Sequence, residues 1–309
     1  MVCNNTLSIA LDGASIGRIS IGRLVEKNGK RLPEKDDEFT ITSQVQTKDG
    51  WVPHPIDETL RTPGAKLRSI PVRLLFDDPE LNLRASYSLF DRATGRPICV
   101  GNGETCKRST ASGVQTLPCA SPDGCELALD GGCRPYGRLN VRIGDEDELG
   151  SFVFRTTGYN SIRTLAARLQ YLHAISGGML AALPLELRLR GKSTTQSHRA
   201  PIYYVDLTTR TGISMLQTLK AARTEVEGRR QMGFDQAALD QAAGAGFAAG
   251  AFEESDEEGG WIVEEFAFAE AATSAEGVEA AGGSHRQSLG TKLAARAQAI
   301  KGVGKLTTE

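Results

Sequence analysis

The stretch SFVFRTTGYNSIRTLAARLQYLHAISGG, residues 151–178, sets the architecture. Its first seven residues alternate as a strand does, and Gly158 interrupts them. Ile162, Leu165, Ala166, Leu169, Leu172 and Ile175 then recur at helical spacing until Gly177-Gly178 stops the helix. Arg163 and Arg168 lie off that stripe, so one side of the helix is apolar. Upstream, Leu139-Asn140-Val141-Arg142-Ile143 reads as a strand with polar and basic residues on its other side. Downstream, Leu183, Leu185, Leu187 and Leu189 share one face of a strand, with Glu186, Arg188 and Arg190 on the other. Residues 202–209 supply its partner. The order β-β-α-β-β predicts a sheet with one helix packed on one face.

The chain before this unit is mostly β. Residues 16–50 read as short strands around the turn signal Asn28-Gly29. Pro53, Pro55 and Pro63 predict a loop. Ile70, Val72 and Leu74 share a strand face, which Asp77-Asp78-Pro79 ends. Residues 81–91 alternate again. After the unit, residues 214–230 read as a helix with Met215, Leu216, Leu219 and Ala222 on one side, and Asp235 caps a shorter helix through Ala243. The expectation is an α+β fold, with one domain over residues 1–244. Residues 245–309 are rich in Ala and Gly, acidic and then basic, and are expected to be a mostly disordered tail, with residues 261–268 as a binding patch.

Five of the six cysteines fall within residues 99–133: Cys99, Cys106, Cys119, Cys125 and Cys133. Turn formers and polar residues surround them, so this insert is expected to need a cross-link. No basic region followed by an apolar stretch opens the chain, which predicts a cytoplasmic protein, where thiols stay reduced and clustered cysteines bind metal. Four soft ligands suit a structural Zn2+. Cys119, Cys125 and Cys133 are the expected core of that set, completed by Cys106 in preference to Cys99. No histidine lies inside the cluster, which argues against an open catalytic metal site.

Gly191-Lys192-Ser193-Thr194 resembles the end of a phosphate-binding loop, but Glu186 stands where that motif needs its first glycine. Nucleotide binding is therefore not expected. Arg188, Arg190, Lys192 and Arg199 still form a cationic segment suited to phosphate oxygens, and DNA is the partner it suggests. The net charge of −2 conceals segregation. Residues 134–210 hold 11 Lys/Arg against 6 Asp/Glu, whereas residues 225–282 hold 2 against 14. No apolar run approaches the roughly 20 residues of a membrane span, so no membrane role is expected.

The block Cys133-Arg134-Pro135-Tyr136-Gly137-Arg138-Leu139-Asn140-Val141, followed by Leu149-Gly150-Ser151-Phe152-Val153-Phe154-Arg155-Thr156-Thr157-Gly158-Tyr159, resembles the recombination directionality factor-like proteins of phages. Gly17-Arg18-Ile19 and residues 71–87 are also similar to mobile-element proteins described as metal-binding. The resemblance spans roughly residues 15–260. It implies a non-enzymatic protein that binds a large serine integrase and switches it from integration to excision. Of functional residues it carries over only the cysteines. Two other readings stand beside it: a single-stranded-DNA annealing partner of an element-encoded exonuclease, and a metal-dependent hydrolase.

Overall fold

The computed structural model describes residues 14–27, 30–48, 50–91, 93–129, 132–144, 150–193 and 201–249. The order is β1 (Ala14–Lys27), β2 (Lys30–Thr47), β3 (Gly50–Pro53), α1 (Pro55–Leu60), β4 (Ser69–Arg73), α2 (Pro79–Asn82) and β5 (Leu83–Phe90). There follow β6 (Pro97–Gly101), β7 (Thr105–Thr110), β8 (Gly113–Pro118), α3 (Ser121–Gly124) and a 3-10 turn at Glu126–Ala128. The chain closes with β9 (Arg134–Ile143), β10 (Gly150–Thr156), α4 (Tyr159–Ser176), β11 (Leu185–Lys192), β12 (Ile202–Thr209), α5 (Met215–Gln231) and α6 (Gln236–Ala249).

The β-β-α-β-β unit forms as the alternation requires. β9 and β10 pair antiparallel, with Phe154 opposite Leu139, and β11 and β12 pair antiparallel, with Leu187 opposite Leu207. Between them α4 buries Ile162, Leu165, Leu169 and Leu172. Gly177 takes the left-handed conformation (φ 70°), and the Gly178 N–H reaches back to the His173 carbonyl at 3.0 Å. A residue with a Cβ resists that conformation, so the paired glycines are a true stop.

The two hairpins do not pair with each other. β4, from the first half of the chain, lies between them and pairs with both β9 and β11. Likewise β1 runs parallel to β10, and β5 lies against β9. One twelve-stranded sheet results, with a long path β3-β2-β1-β10-β9-β5-β6-β7-β8. Its core face buries Ile19, Phe39, Ile41, Leu139, Val141, Phe152 and Phe154 together with Leu165 and Leu169 of α4. Fully burying each of these stabilises the fold by about 1.5–3 kcal/mol before entropy is counted.

Several expectations need correction. Residues 99–133 are not a loop insert: β6, β7 and β8 form an antiparallel meander that continues the sheet outward from β5. Polar strands such as Thr105–Thr110, next to the edge strand β8, carry no apolar alternation, so composition alone reads them as loop. The proline-rich loop contains a short helix, α1, with Pro55 in its first turn and the His54 side chain as its cap. Leu81 lies in the one-turn helix α2, capped by Asp78, and strand β5 starts only at Leu83. The strands read as short in residues 16–50 are two long ones. Leu216 is exposed on α5 rather than part of its buried side. α6 continues past Ala243 to Ala249. The tail from residue 250, with its 261–268 patch, and Cys3 lie outside the described residues.

Candidate metal centre and basic hairpin

The five cysteines come from five segments. Cys99 is in β6 and Cys106 in β7, both buried; Cys119 follows β8, Cys125 joins α3 to the 3-10 turn, and Cys133 precedes β9. The β6–β7 pairing sets Cys106 opposite Gly101. The Cys119 N–H donates to the Glu104 carbonyl at 2.8 Å, which returns that cysteine to the β6–β7 turn. Gly101 is the close-packed point: a Cβ there would stand 2.8 Å from both the Cys106 Cβ and the Cys119 Sγ.

Burial pushes the Cys133 thiol up to about 11, and the charges of Cys99, Cys125, Cys119 and Cys106 push it the same way. The other four cysteines therefore lie within electrostatic reach of Cys133. Cys106 is raised as well, by burial first and then by Cys99. Arg108 stands directly opposite Cys99 across β6–β7, and its guanidinium is raised by hydrogen bonding to that sulfur. Among the described residues no three His, Cys, Asp or Glu side chains are set as a ready-made metal site. The donor set nonetheless suits a soft divalent ion. Thiols are gathered at one edge, glycine leaves room for their approach, and a fixed cation balances thiolate charge.

The basic segment differs from its expectation. Arg188 and Arg190 lie on strand β11 as the alternation predicts, but the strand runs on to Lys192, which is therefore not in a loop, and Arg199 falls outside the described residues. The Arg190 Nε donates to Asp206 Oδ2 at 2.6 Å, and the Arg168 Nε of α4 donates to Asp206 Oδ1 at 2.9 Å. Arg188 donates to Glu186 and, at 2.7 Å, to the Thr211 hydroxyl. Lys192 donates to Asn160 Oδ1 at 2.7 Å and sits over the Tyr204 ring. Burial pushes the Asp206 carboxyl up, but the Arg168 and Arg190 hydrogen bonds and charges outweigh it and hold it below the ordinary value. Glu186 is likewise held down against burial, by the Thr211 N–H and Arg188. All three described cations thus have partners within the protein: Arg190 bonds Asp206 within the hairpin, Arg188 fastens the Thr211 turn and Lys192 reaches α4. Asp206 and Arg168 sit 38 residues apart, and no local sequence signal joins them.

A family model described as Gp3-like, recombination directionality factor-like, matches residues 16–210. The chain belongs to this family. The matched region opens in β1 and closes just beyond β12, so it takes in every strand of the sheet and leaves α5 and α6 outside. Neither a curated protein nor a solved structure matches the chain. No helix among the described residues is long and apolar enough to cross a membrane.

Proposed function

We propose that this protein is a non-enzymatic recombination accessory factor of a phage or integrative element, and that it acts by binding a site-specific recombinase. The observation that carries this reading is the family match over the whole sheet, residues 16–210. A large serine integrase is the most specific partner, and the action on it is a switch from integration to excision. The test is recombination of paired excision sites by the integrase of the same element, with and without this protein. Excision that depends on the protein, together with co-purification of the two, supports the reading. Intact integrase activity that is neither bound nor redirected overturns it.

In the same reading the cysteine edge holds a structural Zn2+. Cys119, Cys125 and Cys133 supply three thiolates, and Cys106, or else Cys99, the fourth. The ion would add a cross-link to an edge meander whose own apolar core is small. Metal analysis of the purified chain should give about one zinc per protein, as expected for a closed four-thiolate site. Cys125→Ser should lose the metal and expose β6–β8 to proteolysis. A fully folded, metal-free wild type counts against the site.

A further inference from the structure

Helix α4 gives its apolar side to the core and keeps a second, unusual side for solvent. Tyr159, Arg163, Ala167 and Tyr171 recur every four residues along that outer side, so they form one ridge, and all four are exposed. Tyr159 is 61% and Tyr171 53% exposed. The helix rises about 18 Å between them. Arg163 stands between the two rings and makes no hydrogen bond or ion pair among the described residues.

The next row of α4 faces the β11–β12 hairpin. Asn160 accepts from the Lys192 ammonium at 2.7 Å, and that ammonium lies 5.9 Å from the centroid of the Tyr204 ring, a cation–π arrangement. Arg168 and Arg190 share the single carboxylate of Asp206. The Asp206 side chain is 2% exposed, whereas the two arginines remain 45% and 41% exposed. One carboxylate neutralises one guanidinium, so the row keeps a net positive charge although its arginines are partnered. Tyr171 and Tyr204 both lie within electrostatic reach of Arg168, which joins ridge and row into one strip. Exposed rings thus alternate with cations from the start of α4 to its last turn.

Such a strip matches the two parts of a single-stranded nucleic acid. Unpaired bases stack on exposed rings whatever their sequence, and cations beside the rings take the phosphates. A duplex keeps its base faces stacked inside and offers this surface its charges alone. A protein partner calls for an apolar centre, and α4 exposes no Leu, Ile or Val.

We propose that the α4 ridge from Tyr159 to Tyr171, with Lys192 and Tyr204 of the hairpin beside it, binds single-stranded nucleic acid. Bases stack on the tyrosines, and phosphates lie against Arg163 and Lys192. This binding is separate from contact with a recombinase and does not depend on it.

The test is fluorescence anisotropy of a labelled oligothymidine with the full chain, beside a duplex of the same length at the same salt. The single strand should bind about tenfold more tightly than the duplex. Tyr171→Ala should weaken single-strand binding about tenfold, as one lost stack does, and Tyr171→Phe should leave it unchanged. Arg163→Ala should lower the salt slope by about 0.7, the share of one phosphate contact. Should Tyr171→Ala fold poorly, photocrosslinking of an iodouracil-substituted oligonucleotide to the wild-type chain reads the site directly, with adducts expected at Tyr159, Tyr171 or Tyr204. No single-strand binding at low salt, or equal affinity for single strand and duplex, overturns the proposal. Unchanged affinity in a folded Tyr171→Ala chain, or adducts confined to other residues, overturns the site. Loss of recombinase co-purification in Tyr171→Ala with oligonucleotide binding intact assigns the face to a protein partner and overturns the nucleic-acid role.

Discussion

Gly101 shows what one missing side chain permits. It faces Cys106 across β6–β7 and leaves Cys119 room to fold in beside them. Gly101→Ala would place a methyl group 2.8 Å from the Cys119 Sγ and 3.0 Å from the Thr105 carbonyl. Neither neighbour is the far end of a flexible side chain, so strands or cysteine must move. Urea unfolding should show a loss of about 1–3 kcal/mol, the usual range for overpacking, and Cys119 should react faster with a thiol reagent. Unchanged stability and reactivity would mean that the cysteines are not closely gathered. At this scale the cysteines themselves were legible, since five in 35 residues stand out of any composition. Arg108 was not. Its place opposite Cys99 depends on the register of β6 against β7, and a polar strand such as β7 has no apolar period to reveal its register.

The β11–β12 hairpin and α4 show the same division between local and distant signals. Alternating leucines in residues 183–189 marked the strand, although it begins at Leu185 and runs on to Lys192. The roles of its cations depended on partners far along the chain. Asp206, 2% exposed at its side chain, ties Arg168 of α4 to Arg190 of β11. Asp206→Asn keeps the shape but removes the charge. It should cost about 1–3 kcal/mol: the carboxylate is buried, but both arginines are roughly half exposed, and solvent discounts the pair. The pH dependence follows from the direction of the shift. The folded-state Asp206 lies below its ordinary value, so its stabilising contribution is complete above that ordinary value, about 3.9, and is lost as pH falls through the lower folded one. The gap between wild type and variant in urea unfolding should therefore be constant near neutrality and close below about pH 4. A gap that persists in acid would mean the loss came from packing rather than charge.

Across the whole molecule the strand order departs furthest from what local patterning conveys. The sequence divides into a β-rich first half and a β-β-α-β-β second half, and a cysteine brace between them is a natural expectation. In the fold the halves are interleaved: β1 joins β10, β5 joins β9, and β4 separates β9 from β11. Hydrophobic alternation reports which residues form a strand and which face is apolar, but it carries no information about which strand lies alongside, because any two such faces can share a core. Interleaving also removes the need for a brace between halves, and leaves any zinc to secure the β6–β8 edge. A unit that completes its sheet only with strands from both halves cannot unfold one half at a time. Denaturant unfolding followed by Trp51 fluorescence in a Trp261→Phe chain, with Trp51 on β3, should coincide with loss of β-sheet circular dichroism. If the cysteine edge holds zinc, removing it with a chelator should leave that shared transition in place and loosen only that edge. Two separated transitions, or a second half that folds when expressed from residue 134 alone, would contradict the interleaved sheet.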